Sequence, residues 1–209
     1  MIAGVIFDLD GTLTRPLLNF KAIRKALGFD PAHPVLEQLL ALPSAVQEEK
    51  NRILNGYEEE AASRCELNEG VADLLAWLEA EGKSTAILTR NSSASTRTML
   101  GRLNLTFRHI RTREDEPVKP SPAQVVSLAL EMGLPVERVL VVGDFAFDTE
   151  AGLSAGTYAV FLSNRNTPPV KIRYHFSIDS MTELRPLMEK IIHDGLPPGS
   201  LSILEEDSP

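Results

Sequence analysis

Val5-Ile6-Phe7-Asp8-Leu9-Asp10-Gly11-Thr12-Leu13-Thr14 is a short apolar run that stops on two carboxylates. An apolar, non-alternating run of this kind fits a strand covered on both faces. Acids at its carboxyl end fall where open α/β sheets bind their ligands. Two acids one residue apart on an extended chain point to opposite sides, so Asp8 and Asp10 are expected to do different work. Gly11 lets the backbone turn sharply beyond them, and Thr12 adds a hydroxyl.

Working outward, similar apolar runs recur at Ile2–Phe7, Thr85–Leu88, His109–Thr112, Val139–Val142, Ala159–Leu162 and His175–Ile178. Helical patterns separate them at Gly70–Ala80, Ala94–Leu103, Pro122–Met132, Thr149–Ser154 and Met181–Ile192. Strand–helix alternation with apolar strands predicts an α/β fold, a parallel sheet with helices on both faces. The last helix carries one stripe of Leu184, Leu187, Met188, Ile191 and Ile192, a Ser180/Glu183 capping box and Gly195 as its stop.

One connection breaks this rhythm. Roughly fifty residues separate Thr14 from the helix that Asn68 is expected to cap, far more than an ordinary loop needs. Phe20, Ile23 and Leu27 share a face ahead of Gly28; Val35, Leu36, Leu39 and Leu40 suggest a second helix. Ser44 and Gln47 cap a third, which carries Val46, Ile53, Tyr57 and Ala61. The domain reading is therefore a core of residues 1–14 and 67–196, a helical insertion at 15–66 and a flexible Pro/Ser/acid-rich tail at 197–209.

A net charge of −8 argues against a nucleic-acid or anionic-membrane partner, and 43% hydrophobic residues suffice for a core. Cys65 is the single cysteine, which rules out an intrachain disulfide. No stretch is long and apolar enough to span a membrane, and a strand starting at Ile2 leaves no room for a signal peptide. The expectation is a cytoplasmic protein. His33, His109, His175 and His193 lack metal-ligand spacing, so zinc is not expected. Trp77 and Cys65 read as packing residues.

Three further segments fall at strand ends: Thr89-Arg90-Asn91, Val118-Lys119-Pro120-Ser121-Pro122, and Gly143-Asp144-Phe145-Ala146-Phe147-Asp148. In the second, Ser121 is a plausible N-cap, Pro122 the first helical residue and Gln124 the box partner. If these strands are neighbours, carboxylates, a hydroxyl and a lysine converge on one crevice. Such a set suits Mg²⁺ and a phosphoryl group: hard oxygens hold the ion, while cationic and hydroxyl donors hold the phosphate. Taken singly, each has a plainer reading. Lys119 would be a solvated lysine, Thr89 a strand-end hydroxyl, and Asp148 a helix N-cap. A calcium loop is the alternative for Asp-x-Asp-Gly, but the twelfth-position Glu of an EF-hand is missing.

The order Asp-x-Asp-x-Thr, Thr, Lys, Gly-Asp-x-x-x-Asp, from Asp8 to Asp148, resembles the four motifs of the haloacid dehalogenase (HAD) superfamily. The position of the insertion resembles the C1-type cap of its phosphoglycolate phosphatase-like branch. The resemblance implies a Rossmann-like three-layer core with the strands of Asp8 and Asp144 side by side, and a small helical cap inserted after the first strand. It implies Asp8 as a nucleophile forming an aspartyl-phosphate and Asp10 as general acid and then base. Thr89 would bind a phosphoryl oxygen, and Lys119 would balance the charge of Asp8 and the phosphate. Mg²⁺ would be held by Asp8, the carbonyl of Asp10 and Asp144, with Asp148 in support. An acid at position 10 suits phosphoester chemistry, because the leaving alkoxide needs a proton.

Thr12, Arg15, Arg90 and Asn91 are the candidate substrate contacts. Lys21, Arg24 and Lys25 read more simply as a solvated face; Arg15, nearest the loop, is the candidate to grip a second anionic group. Phe145 stands where relatives often carry a small polar residue, and with Phe147 it makes the site mouth more apolar. The expected activity is a Mg²⁺-dependent phosphomonoesterase acting on a small phosphorylated metabolite. A phosphomutase of the β-phosphoglucomutase type and a non-catalytic HAD-fold binding module are the alternatives.

Overall fold

The computed structural model describes residues 1–166, 170–194 and 202–204. Six strands form one parallel sheet: β1 (Gly4–Phe7), β2 (Ser84–Leu88), β3 (His109–Arg111), β4 (Val139–Gly143), β5 (Tyr158–Leu162) and β7 (Phe176–Ile178), in the order β3-β2-β1-β4-β5-β7. Before β7, Ile172–Tyr174 form β6, which pairs antiparallel with β8 (Ser202–Leu204). Of the expected tail at residues 197–209, Ser202–Leu204 are strand, and the rest of that segment lies outside the described residues, as does Gly195.

Alternate residues of each strand face opposite layers, as a pleat requires. Val5, Phe7, Ile87, Leu140, Val142, Val160 and Leu162 pack on α4 (Val71–Ala80), α5 (Ser93–Arg102) and α8 (Leu184–Asp194). Ile6, Ala86, Leu88, Val139 and Val141 face α6 (Ala123–Glu131) and α7 (Ala146–Ala155). The inner strands β1, β2, β4 and β5 are largely buried on both sides, which is why their sequences run apolar without alternation.

Between β1 and α4 stand α1 (Phe20–Leu27), α2 (Val35–Leu40) and α3 (Ser44–Arg64). They bury a cluster of their own from Ile23, Leu27, Val35, Leu36, Leu39 and Leu54. Asn19 caps α1 by accepting from the Ala22 N–H, and Gly28 ends it at φ 68°. Several caps differ from expectation. Pro43, not Ser44, precedes α3, with no side-chain cap, and α6 starts one residue beyond Pro122. Ser121 Oγ still accepts from the Ala123 N–H, but Gln124 turns away to the Glu116 carbonyl and Arg111. Gly70 is the N-cap of α4, which frees Asn68 for another task.

Helix α3 is tied to the core by an acid that helical patterning does not reveal. Glu58 is 3% exposed; its Oε2 accepts from the Ser92 N–H at 3.0 Å, and its Oε1 meets Arg113 at 2.5 Å. Breaking a buried pair strands the remaining charge. Glu58→Ala is therefore expected to cost about 3–5 kcal/mol of stability in urea titration. A loss below about 1 kcal/mol would mean that Arg113 finds other partners.

Candidate active site

Strand register brings the acids together. Phe7 pairs with Val142, and the Asp8 N–H donates to the Val142 carbonyl at 2.9 Å, so Asp8 and Asp144 leave adjacent strand ends. Gly11 (φ +86°) turns the chain against Asp144: a Cβ there would lie 2.1 Å from Asp144 Oδ2. A Cβ on Gly143 would fall 2.2 Å from the Cβ and Cγ of Asp148. Both glycines are required by close approach, and Gly11 also by its left-handed backbone.

The loop after Asp8 is held by two residues that sequence reading missed. Asn68 Nδ2 donates to the carbonyls of Gly11 and Thr12 at 3.2 and 3.0 Å. Asn164 Nδ2 donates to the Gly11 carbonyl at 2.7 Å. Asn68 looked like a helix cap, and Asn164 lies in an Asn-rich loop whose fold the pattern does not specify. Its φ of +51° fits the tolerance of Asn for left-handed backbone.

Lys119 is the centre of charge. Its Nζ lies 2.6 Å from Asp8 Oδ1, 2.5 Å from Asp148 Oδ1 and 2.6 Å from the Leu88 carbonyl, with the side chain 2% exposed. Burial works against its charge, but Asp148 and Asp8 prevail and its pKa is raised. It is no solvated lysine. Asp148 is not an N-cap either: α7 begins at Ala146, and Asp148 Oδ2 reaches back from the first turn to accept from the Phe145 N–H at 3.0 Å.

Asp8, Asp144 and Asp148 each offer an oxygen within 4.8 Å of the others. Burial is the first reason that Asp8 is pushed up to about 6, partly offset by Lys119. Asp144 is raised well above the ordinary range, by burial and then by Asp8 and Asp148. Three hard carboxylates against one ammonium is a donor set that fits a divalent cation of the Mg²⁺ type. The Asp10 carboxylate is not in this group; its Oδ1 accepts from the Leu17 N–H at 3.4 Å. Burial, then the Asp8 charge, pushes it to about 7.

These shifts have a consequence without metal. Asp8 at about 6 and Asp10 at about 7 keep protons in the folded state that the unfolded chain, at 3.8, has released. Stability in chelator is therefore present at low pH and lost as pH rises through that window. The fall should be shallower in Asp10→Asn, and urea titrations of both proteins across the window measure the difference. Identical slopes would mean that Asp10 has an ordinary pKa.

The remaining candidates divide. Thr89 is buried, and its Oγ1 accepts from the Asn91 N–H at 3.1 Å. Asn91 is 8% exposed with Nδ2 on Met99 Sδ. Thr12 Oγ1 is buried without a hydrogen-bond partner among the described residues. Arg15 is turned elsewhere, exposed and 3.3 Å from Glu66. Arg90 is engaged by the insertion: its Nη2 meets both Glu37 oxygens of α2 at 2.7 and 2.8 Å, and its Nη1 donates to the Lys119 carbonyl at 3.1 Å. Its guanidinium sits 4.1 Å from the Phe147 ring centroid, and Phe147 in turn packs edge-on against Phe145.

The family model of haloacid dehalogenase-like hydrolases matches residues 5–162. An uncharacterized hydrolase of Saccharomyces cerevisiae is 30% identical, over 91% of each chain. Phosphoglycolate phosphatase 1 of Pseudomonas aeruginosa is 28% identical over 95% of this chain and 84% of its own. A crystal structure of a predicted phosphoglycolate phosphatase from Haemophilus somnus superposes with a TM-score of 0.70 at 21% identity, covering 90% of this chain and 98% of the other. Among the described residues, no helix is long and apolar enough to cross a membrane.

Proposed function

The chain belongs to the haloacid dehalogenase-like hydrolases, and from that membership we propose that it is a Mg²⁺-dependent phosphomonoesterase acting on a small phosphorylated metabolite through an aspartyl-phosphate at Asp8. One observation carries the reading. Lys119 bridges Asp8 and Asp148 beside Asp144, while Asp10 stands apart with a carboxyl that titrates near neutrality.

Asp8 Oδ attacks phosphorus and forms the acyl-phosphate bond as the ester P–O bond breaks. The leaving alkoxide takes the proton of the Asp10 carboxyl. Asp10, now a carboxylate, takes a proton from the water that attacks the phosphoryl group. The bond to Asp8 then breaks and phosphate leaves. A group at about 7 serves both turns, because each protonation state is populated near neutral pH. The Lys119 ammonium offsets the charge of Asp8 and of the incoming phosphoryl oxygens. Thr89 and Thr12 would offer hydroxyls to the phosphoryl oxygens, with Asn91, whose side-chain amide nitrogen meets Met99 Sδ, holding the Thr89 hydroxyl through its backbone N–H.

Asp8, Asp144, Asp148 and the backbone carbonyl of Asp10 would hold Mg²⁺, which when bound neutralises charge between the nucleophile and an anionic phosphate. Helices α1–α3 act as the cap that shapes the entrance and excludes bulk water. Arg15 and Arg90 have no role in this reading, because Glu66 and Glu37 occupy them.

Inorganic phosphate release from a panel of small esters, with Mg²⁺ and with EDTA, tests it. Release in Mg²⁺ and none in EDTA is expected. An isomerised ester without free phosphate would make the protein a mutase, and no reaction with any ester would leave a binding module. Asp10→Asn should slow alkyl esters by about 10²–10⁴-fold, and aryl esters, with their better leaving groups, by less. Equal losses would remove the general-acid role.

A further inference from the structure

We propose that Asn68 and Asn164 are positioning residues of the reaction: their two carboxamides grip the Gly11 carbonyl from separate parts of the chain and so seat the loop of Asp8 and Asp10 against Asp144. Their catalytic meaning rests on the phosphomonoesterase reading, whereas the grip itself is a set of hydrogen bonds that needs no substrate.

A carbonyl oxygen has two lone pairs, and two amides are directed at that of Gly11. Asn164 Nδ2 donates to it at 2.7 Å and Asn68 Nδ2 at 3.2 Å. Asn68 Nδ2 also reaches the Thr12 carbonyl at 3.0 Å. It lies 3.4 Å from Asn164 Oδ1, so each amide orients the other.

Both amides stand on supported backbone. Asn68 lies where the chain returns from the insertion. There Thr14 and Leu67 form an antiparallel bridge, and the Asn68 N–H donates to the Leu13 carbonyl at 2.9 Å. Asn164 follows β5 in a turn closed by the Asn166 N–H on the Ser163 carbonyl and the Arg165 N–H on Ser163 Oγ, each at 2.9 Å. Ser163 Oγ in turn donates to Asp179 at 2.6 Å.

The sheet does not do this work. Strand β1 ends at Phe7, and the last bond from this strand end to β4 is that of the Asp8 N–H. The Thr12 and Thr14 N–H groups return to the Leu9 carbonyl at 3.3 and 2.9 Å, which closes the turn on itself without placing it against Asp144. Gly11 is where placement is tightest, since a Cβ there would fall 2.1 Å from Asp144 Oδ2. The seat of this turn sets how the Asp10 carbonyl, directly before Gly11, and the Thr12 hydroxyl, buried without a partner among the described residues, stand to Asp8 and Asp144. A misplacement of about 1 Å among reacting groups can cost on the order of 10²-fold in rate.

Asn68→Ala and Asn164→Gly test the proposal. The glycine accepts the left-handed backbone of position 164, where φ is +51°, and removes only the amide. Thermal unfolding of each preparation ensures that folded protein is assayed. Hydrogen exchange of the peptide spanning Asp8–Thr14 in substrate-free protein should quicken in both variants. Calorimetric titration with Mg²⁺ alone should show weaker binding, and kcat on p-nitrophenyl phosphate should fall, each by about 10–100-fold, as when the outer partners of a catalytic site are removed. Unchanged exchange in both variants overturns the grip. Faster exchange with kcat and Mg²⁺ affinity both as in wild type makes the amides merely structural and overturns the positioning role. Faster exchange and weaker Mg²⁺ binding, in a protein whose wild type hydrolyses no ester, would uphold the seat and sink the phosphomonoesterase reading instead.

Discussion

Asp8→Asn is expected to fold normally and to release no measurable phosphate, a loss on the order of 10⁴-fold or more, as for other enzymes deprived of their nucleophile. The amide keeps the shape of the carboxylate but cannot form the acyl-phosphate bond. Folding should survive because burial already disfavours the Asp8 charge, and Lys119 keeps Asp148 at 2.5 Å. Phosphate release and thermal unfolding are measured on the same preparation. Metal-dependent turnover near that of wild type would show that another group attacks phosphorus.

Lys119→Met has the second largest expected effect, and it separates catalysis from stability. The ammonium lies against Asp8, Asp148 and the Leu88 carbonyl, so its removal leaves two buried carboxylates and a carbonyl unmatched. Stability in chelator should fall by about 3–5 kcal/mol. Turnover should fall by about 10²–10³-fold, because the charge that gathers on Asp8 and phosphate loses its fixed counter-charge. Mg²⁺ is expected to restore part of the stability and little of the rate. A variant as stable and as active as wild type would mean that Lys119 is a bystander.

Much of the fold can be read from the chain because its inner strands are buried on both faces. Runs such as Val139–Val142 have no polar side to confuse the pattern, and the adjacency of β1 and β4, which the structure shows, is what the family resemblance implies. The gathering of Asp8, Lys119, Asp144 and Asp148 is legible only through the order of the motifs: Asp8 and Asp144 follow strands and Asp148 lies in the first turn of α7, whereas Lys119 sits in the loop between β3 and α6.

What sequence hides are the contacts between segments far apart. Asn68 reads as a cap because an Asn ahead of a helix usually is one, yet Gly70 caps α4 and Asn68 reaches 57 residues back to Gly11. Glu58 lies in a run of three acids, and only the docking of α3 on α5 reveals which of them is buried. Arg90 looked available to a substrate because its partner, Glu37, belongs to the insertion. The strand Ser202–Leu204 is three residues long, too short for alternation to show, and its pairing with β6 is a tertiary fact.

The most direct test of the account is rapid acid quench during turnover of a hydrolysed ester, followed by mass spectrometry of the peptide that carries Asp8. The account predicts the added mass of one phosphoryl group on Asp8, formed at the rate of the first half-reaction and absent from Asp8→Asn. Steady hydrolysis with the phosphoryl group on another residue, or on none, would contradict it.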